Sequence, residues 1–446
     1  MGIKVAKFGG SSVADGIQIQ KMKEILDADL TRKYVVVSAP GRRFETDNKI
    51  TDVLYLCYTH KEHNLPYDQL LQVVADRYTA TAANLHIDLN VMGEFDTIRK
   101  NMAEGCSVDY IASRGEYLSA KCLALFMGWD FVDAEGLILF DNKGRLLVEE
   151  TNEALKAELA KHENAVIPGF YGTFKETGKI KTFSRGGSDI TGSLVARAAA
   201  ADVYENWTDV SGFLMADPRI VKDPKPIHRI SYKELRELSY MGASVLHEDA
   251  IHPVRIAGIP INIRNTNIPE DPGTIITAEH EGGENEDIIT GIAGKKDFSV
   301  IAIYKNMMSS ERGYVRRILA ILEDFGCNFE HIPSGIDTIS VVISNKDIDG
   351  RLDDLMDAFR RQLEPDSIEC FEDMALIATV GYGMNRRKGV AAKLFTALAE
   401  ANVNLRMIEQ GSSEINIICG VENKDFETAI RAIYNTFTKN EEALEA

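Results

Sequence analysis

The 446-residue chain has little to cross-link it. Its six cysteines (Cys57, Cys106, Cys122, Cys327, Cys370 and Cys419) are scattered, and none forms a Cys-x-x-Cys pair. That spacing argues against zinc ligation and reads as reduced, mostly buried thiols. The nine histidines contain no His-Glu-x-x-His pattern, so no protein-held transition metal is expected. No apolar run approaches the ~20 residues of a membrane-spanning helix. The N-terminus has no signal-type apolar region, and Met1-Gly2 is no myristoylation signal because Ala6 stands where Ser or Thr is required. A cytoplasmic protein is the expectation. Positive charge is also short: 50 Lys and Arg against 68 Asp and Glu leave a formal net charge of −18. This balance argues against nucleic acid or an anionic membrane as partner, but it leaves room for a local phosphate site.

What is present is a globular composition, 45% hydrophobic and 26% charged, on a chain long enough for two to four domains. Residues 1–285 alternate strand-like and helix-like segments. Ile3 to Phe8, Lys33 to Ser38, Ala165 to Phe170, Ala201 to Trp207 and Ile259 to Ile263 read as strands, and Lys33 to Ser38 ends in a small polar residue followed by Pro40-Gly41. This pattern predicts a mostly parallel sheet covered on both faces, with ligands beyond the carboxyl ends of the strands. A helical stretch from about Pro66 to Asn101 reads as an insertion. Glu279 to Asp287 is acidic and contains glycine, and it reads as a linker.

Beyond the linker the pattern changes to a β-α-β-β-α-β unit: strands near Ser299–Lys305, Asn328–Ile332, Thr338–Ser344 and Ser367–Phe371, with helices near 313–325 and 352–363. A second copy comes next, with strands at Ala375–Val380, Asn404–Glu409 and Glu414–Val421 and helices at 390–401 and 426–437. It runs out of chain before its fourth strand. The segment 288–294 is the expected substitute, so the copies should interlock. The expected domains are 1–285, 297–373 and 374–446, the last completed by 288–294.

Chemistry concentrates in a few turns. Lys7 ends the first strand, and Gly9-Gly10-Ser11-Ser12-Val13 comes directly after it. Side-chain-poor amides there can face phosphate oxygens, Lys7 can neutralise them, and a helix starting near Val13 would add its dipole. Alone, the pair of glycines is equally a plain strand-to-helix turn. A second arginine-glycine turn, Ser184-Arg185-Gly186-Gly187-Ser188-Asp189, offers a guanidinium suited to a carboxylate, while Asp189 can orient Lys7, help hold magnesium or simply cap a helix. Ser113-Arg114-Gly115-Glu116 is placed where a loop enters a helix, with Glu116 either offsetting the dipole or pairing with an ammonium. Thr208 and Asp209 come after a strand end, and Arg219 lies just beyond.

The segments Lys7 to Ala14, Ser184 to Thr191, Trp207 to Arg219 and Met241-Gly242-Ala243-Ser244-Val245-Leu246-His247 resemble those of aspartate kinases, in order, over nearly the whole chain. The resemblance implies the amino-acid kinase fold (an α/β sandwich) followed by two interlocked ferredoxin-like ACT domains. It implies ATP-dependent phosphorylation of the β-carboxylate of L-aspartate, with Mg2+ delivered by ATP. By this resemblance Lys7, Gly9, Gly10 and Asp189 serve the reaction centre. Ser38, Thr51, Glu116, Arg185 and Ser188 hold aspartate, Glu116 on the ammonium and Arg185 on the α-carboxylate. Lys7, Gly10, Ser11, Thr208, Asp209, Arg219, Ser244 and Val245 contact ATP. Ser244 and Leu214 replace a lysine and a tyrosine common in the family, and Lys222 or Lys225 could compensate. Effector loops would include Met307, Ser309, Gly313, Tyr314, Ser334, Gly335, Ile336 and Asp337, with lysine favoured over threonine as feedback inhibitor. A homodimer through the ACT sheets is implied. A kinase for another amino acid and a silent amino-acid sensor remain as alternatives.

Overall fold

The computed structural model describes residues 2–184, 186–243, 246, 248–279 and 287–438. They form two compact units: Met1–Phe213 with Pro226–Tyr232 and Val245–Glu281, and Leu214–Lys225 with Lys233–Ser244 and Gly282–Ala446.

The first unit is built on an eight-stranded sheet. Its strands are β1 (Lys4–Phe8), β2 (Arg32–Val37), β3 (Asp130–Phe131), β4 (Ala165–Pro168), β5 (Val203–Thr208), β6 (Arg229–Ser231), β7 (Ile261–Asn265) and β8 (Thr274–Thr277). They lie in the order β6-β8-β7-β5-β1-β2-β4-β3, parallel except for the β7–β8 pair. The central strand β1 carries Val5, Ala6 and Phe8 with no exposure. Both faces are therefore covered, as an apolar parallel strand requires. Lys7 is in register with Asn206 of β5 and Val36 of β2, so β5 and β2 flank it directly.

Five helices precede β3 in the chain: α1 (Gly16–Asp27), α2 (Ile50–Glu62), α3 (Asp68–Leu85), α4 (Val91–Ala103) and α5 (Val108–Met127). The last four share a core of Ile50, Leu54, Leu71, Tyr78, Phe95, Ile111 and Leu118. Two expectations need correction. The helix placed near Val13 is a four-residue 3-10 turn (Gly10–Val13), and α1 begins only at Gly16, where Asp15 accepts from the Gln18 amide and fixes the start. The Ser113–Ser119 cluster lies in the middle of α5, because Ser107 caps that helix by accepting from the Tyr110 amide. Glu116 is thus no first-turn carboxylate, and the helix dipole does not explain it. Further along, α6 (Val148–Leu159) and α7 (Gly187–Ala198) complete the helices of this unit used below.

The second unit holds a five-stranded antiparallel sheet made of β9 (Gly291–Tyr304), β10 (Thr338–Ser344), β11 (Ser367–Val380), β12 (Met407–Glu409) and β13 (Asn416–Glu422), in the order β10-β9-β11-β13-β12. Four expected strands merge into two long ones. Segment 288–294 runs on into the 299–305 strand as β9, and 367–371 runs on into 375–380 as β11. These two pair antiparallel along their length, with register shifts around Lys295–Val300 where the ladder bends. The expected strand 328–332 is absent as a strand; isolated bridges His331–Val342 and Ser334–Ile339 stand in its place. Helices α8 (Tyr314–Asp324) and α9 (Leu352–Leu363) bury Ile318, Ile321, Leu355 and Phe359 against Ile301 and Val341.

Candidate active site

The site lies at the carboxyl ends of β1, β2, β4 and β5. Lys7 is 7% exposed, an ammonium that must be paired to be buried. Its Nζ sits 2.6 Å from Asp189 Oδ1, in the first turn of α7, and 3.5 Å from Asn206 Oδ1 on β5. Asn206 also donates through Nδ2 to Asp189 Oδ1 at 2.9 Å. The three side chains thus form a closed, part-buried triangle. Sequence reasoning missed Asn206: it lies within the strand Val203–Thr208, not after it, and only the alternation of β5 places it on the α7 face with Tyr204. On that face the Tyr204 hydroxyl donates to the Asp189 carbonyl at 3.1 Å.

The glycine turn after β1 is shaped by backbone contact. Gly10 accepts from the Gly41 amide at 2.8 Å, and a Cβ on Gly41 would stand 2.8 Å from the Gly10 carbonyl carbon. A Cβ on Gly10 would be only 3.1 Å from the Ala39 oxygen. Gly41 has no room for a side chain without a backbone shift, and Gly10 is tight. Of the four amides expected to face phosphate, that of Gly9 donates to Trp207 O and that of Ser12 to Gly9 O. Gly10 and Ser11 open the 3-10 turn, where no preceding turn offers an acceptor. The Ser12 hydroxyl meets Thr266 Oγ1 at 2.7 Å.

Next to this turn, Ser38 donates its amide to Phe8 O, and the Ile50 amide donates to Pro40 O. The start of α2, with Thr51 in its first turn, therefore lies beside the end of β2. Helix α5 closes in: a Cβ on Gly115 would touch the Ala39 Cβ at 2.7 Å. Glu116 comes next, 4% exposed; the Ala39 amide donates to its carboxylate, while Oε2 is buried with no hydrogen-bond partner. Burial pushes this carboxyl from its ordinary 4.5 up to about 8. A buried acceptor left open beside the loop after β2 is a place where a ligand's hydrogen-bond donor would fit. Ser188 and Gly169 are in close contact, since a Cβ on Gly169 would fall 2.7 Å from Ser188 Oγ, and the Gly169 amide donates to Val37 O.

The expected residues Lys7, Gly9, Gly10, Ser38, Thr51, Glu116, Ser188 and Asp189 thus gather at one end of the sheet. Thr208 closes β5 with its hydroxyl on Asp209 at 3.2 Å. Arg185, Ser244 and Val245 lie outside the described residues. In the second unit an open cleft of about 560 Å³ is lined by Leu214, Pro218 to Ile220 and Lys222 to Pro224. Arg219 is forked onto Asp217 there, its Nη2 2.6 Å from Oδ2. Lys222 lines the cleft, whereas the Lys225 amide is taken by the Tyr434 hydroxyl at 2.9 Å. In the segments expected to hold an effector, Met307 and Gly313 both have left-handed backbone, the Lys305 amide donates to Asp337 O at 2.9 Å, and the buried Tyr314 hydroxyl has no hydrogen-bond partner. Ser309, Ser334, Gly335 and Ile336 are all exposed.

The paired lysine at the end of a central parallel strand agrees with the amino-acid kinase class to which the family comparison assigns the chain. The model of the amino acid kinase family matches residues 2–265, and an ACT domain model matches 377–437. Aspartokinase 3 of Bacillus subtilis is 36% identical over 98% of both chains. The crystal structure of Clostridium acetobutylicum aspartate kinase superposes with a TM-score of 0.92 at 52% identity, covering 98% of this chain and 100% of that one. Escherichia coli aspartokinase III, solved with aspartate and ADP, shares the fold with a TM-score of 0.71 at 24% identity, covering 97% of this chain and 99% of that one. The chain belongs to the aspartokinase family.

Proposed function

We propose that the Lys7–Asp189–Asn206 centre transfers the γ-phosphoryl group of ATP to the β-carboxylate of L-aspartate, giving 4-phospho-L-aspartate and ADP. The supporting observation is that a buried, paired ammonium at the end of β1 shares one sheet end with a buried carboxyl, Glu116, whose Oε2 has no hydrogen-bond partner. A β-carboxylate oxygen attacks the γ-phosphorus, the bond to the β,γ-bridging oxygen breaks, and ADP leaves. No proton need move, because the acceptor is already ionised. Positioning and charge neutralisation therefore carry the catalysis. Asp189 and Asn206 hold the Lys7 ammonium where charge shifts toward the leaving oxygen. Glu116 takes the substrate ammonium, Arg185 its α-carboxylate, and Ser38, Thr51 and Ser188 line the remainder. Gly9, Gly10 and Ser11 border the phosphates. Thr208, Asp209, Arg219, Ser244 and Val245 contact the nucleotide.

Among the described residues no group of three or more His, Cys, Asp or Glu is placed to hold a metal. Mg2+ would come mainly with ATP, held by phosphate oxygens and water with Asp189 beside it, and would neutralise phosphate charge. An N-acetylated substrate would leave Glu116 without a partner, which disfavours that alternative. Lysine is the proposed effector, bound at Met307, Ser309, Gly313, Tyr314 and Ser334 to Asp337, and the ACT sheets pair into a homodimer. We retain the domain division 1–285, 297–373 and 374–446 with 288–294. Among the described residues no helix is long and apolar enough to cross a membrane, and all six thiols are free; cytoplasmic work is the proposal. Trapping the acyl phosphate with hydroxylamine, with aspartate and glutamate in parallel, tests the reading. Hydroxamate from aspartate alone supports it, and equal product from glutamate overturns it.

A further inference from the structure

Among the described residues, Arg77 is a buried cation that the mechanism above does not use. Arg77 lies in α3, a helix whose other buried positions are mostly apolar, and is itself only 6% exposed. Its Nη1 donates to Ala14 O at 3.2 Å and to Gly41 O at 3.3 Å, and its Nη2 to Asp47 Oδ2 at 2.7 Å. These three acceptors are not on one element. Ala14 ends the glycine turn after β1, Gly41 belongs to the loop after β2, and Asp47 lies further along that loop, before α2. The same two turns meet at the Gly41 amide on Gly10 O. On the site reading above, the first turn borders the phosphates, while the second carries Ser38 and Ala39, which touches Glu116.

We propose that Arg77 is a positioning residue for phosphoryl transfer, clamping the phosphate-side turn to the aspartate-side loop and thereby setting the spacing of the two substrates. A planar guanidinium with several donors in fixed directions can serve two carbonyls and a carboxylate at once, whereas an ammonium cannot reproduce that fork. Asp47 completes the clamp. It also receives the Arg43 amide at 3.0 Å and Arg43 Nε at 2.8 Å, and these bonds hold its carboxyl well below the usual range, so it remains an anion wherever the enzyme works. Arg43 is far more exposed than Arg77, and Asp47 keeps its inner partner without it. The Arg77 clamp rests on the site reading but assigns it a residue that contacts neither substrate.

The test uses the full-length protein with Arg77→Lys, Asp47→Asn, the double variant and Arg43→Ala, each measured for kcat, both KM values and melting temperature. Loosening the spacing should lower kcat by about thirty-fold in Arg77→Lys while each KM stays within about three-fold. Asp47→Asn should lose about ten-fold in kcat, and the double variant should be no worse than Arg77→Lys, because both remove one device. Arg43→Ala should stay within about two-fold of the parent. A purely structural role would instead lower the melting temperature and the folded fraction, with the remaining folded enzyme turning over normally. That result, parental kcat in Asp47→Asn, or additive losses in the double variant overturns the proposal. Should Arg77→Lys fail to fold, Asp47→Asn on the loop carries the same test. Lys7→Ala run alongside separates the two ideas. An active Lys7→Ala sinks the site reading; an inactive one beside fully active clamp variants sinks the clamp alone.

Discussion

Raising the pH from 6 to 8 should tighten aspartate binding, and the reason is Glu116. Its carboxyl, buried beside Ala39 with Oε2 unpartnered, ionises near pH 8 in the free enzyme. At pH 7 it is therefore about nine-tenths protonated, and ionising it to meet an ammonium costs roughly 1.4 kcal/mol. The ionised fraction rises roughly fifty-fold between pH 6 and pH 8, and the aspartate association constant should track it before levelling off. Calorimetric titration with aspartate at pH 7, in two buffers of different ionisation enthalpy, should show about 0.9 proton released per site. Glu116→Gln should abolish that release, flatten the pH dependence and weaken binding. Stability carries the opposite sign. The native state keeps a proton that the unfolded chain has already lost, so this group lowers unfolding free energy as pH climbs from 4.5 to about 8, and no further beyond. The accumulated penalty at pH 7 is on the order of 3 kcal/mol, and that slope should vanish in Glu116→Gln. Flat affinity across pH 6–8 with no proton release would refute the reasoning, because Glu116 would then be ionised already or distant from the ammonium.

Lys7→Ala should cut kcat by about 10³-fold or more with far-ultraviolet dichroism unchanged, since one lost charge-stabilising donor costs about that much. Asn206→Ala removes a side chain that touches both Lys7 and Asp189; kcat should fall about ten- to hundred-fold with both KM values little moved in steady-state assays. Gly41→Ala forces a methyl within 2.8 Å of the Gly10 backbone, so denaturant melts should show a loss of about 1–3 kcal/mol along with lowered turnover. Tyr434→Phe releases the Lys225 amide at the edge of the Arg219 cleft. The KM for ATP should rise several-fold, about 3–10 times, while that for aspartate holds.

The parts of the fold legible in the sequence are those set by local pattern. The strand Lys4–Phe8 and its glycines are an apolar run with a stop, and the duplicated C-terminal helices show a 3.6-residue period. Strand ends point to Lys7 and Ser38, and the first turn of α7 to Asp189. Residues whose roles depend on tertiary neighbours stay hidden. Asn206 sits inside a strand, whereas ligand-facing residues of such a sheet are sought beyond the strand end. Arg77 reads as one more polar position of a helix until Ala14, Gly41 and Asp47 converge on it. The start of α5 is set by Ser107, a sufficient cap on its own, although the Ser113–Glu116 cluster carries the richer signal of a helix entry. The merging of four strands into β9 and β11 comes from long-range pairing, which no local run encodes.

A crystal structure with aspartate and a non-hydrolysable ATP analogue tests the central claim most directly. The account predicts the substrate ammonium within about 3 Å of Glu116, its α-carboxylate on Arg185, and a γ-phosphate oxygen within about 3 Å of Lys7 Nζ. An ammonium facing solvent while Glu116 stays empty, or a γ-phosphate remote from Lys7, would contradict it.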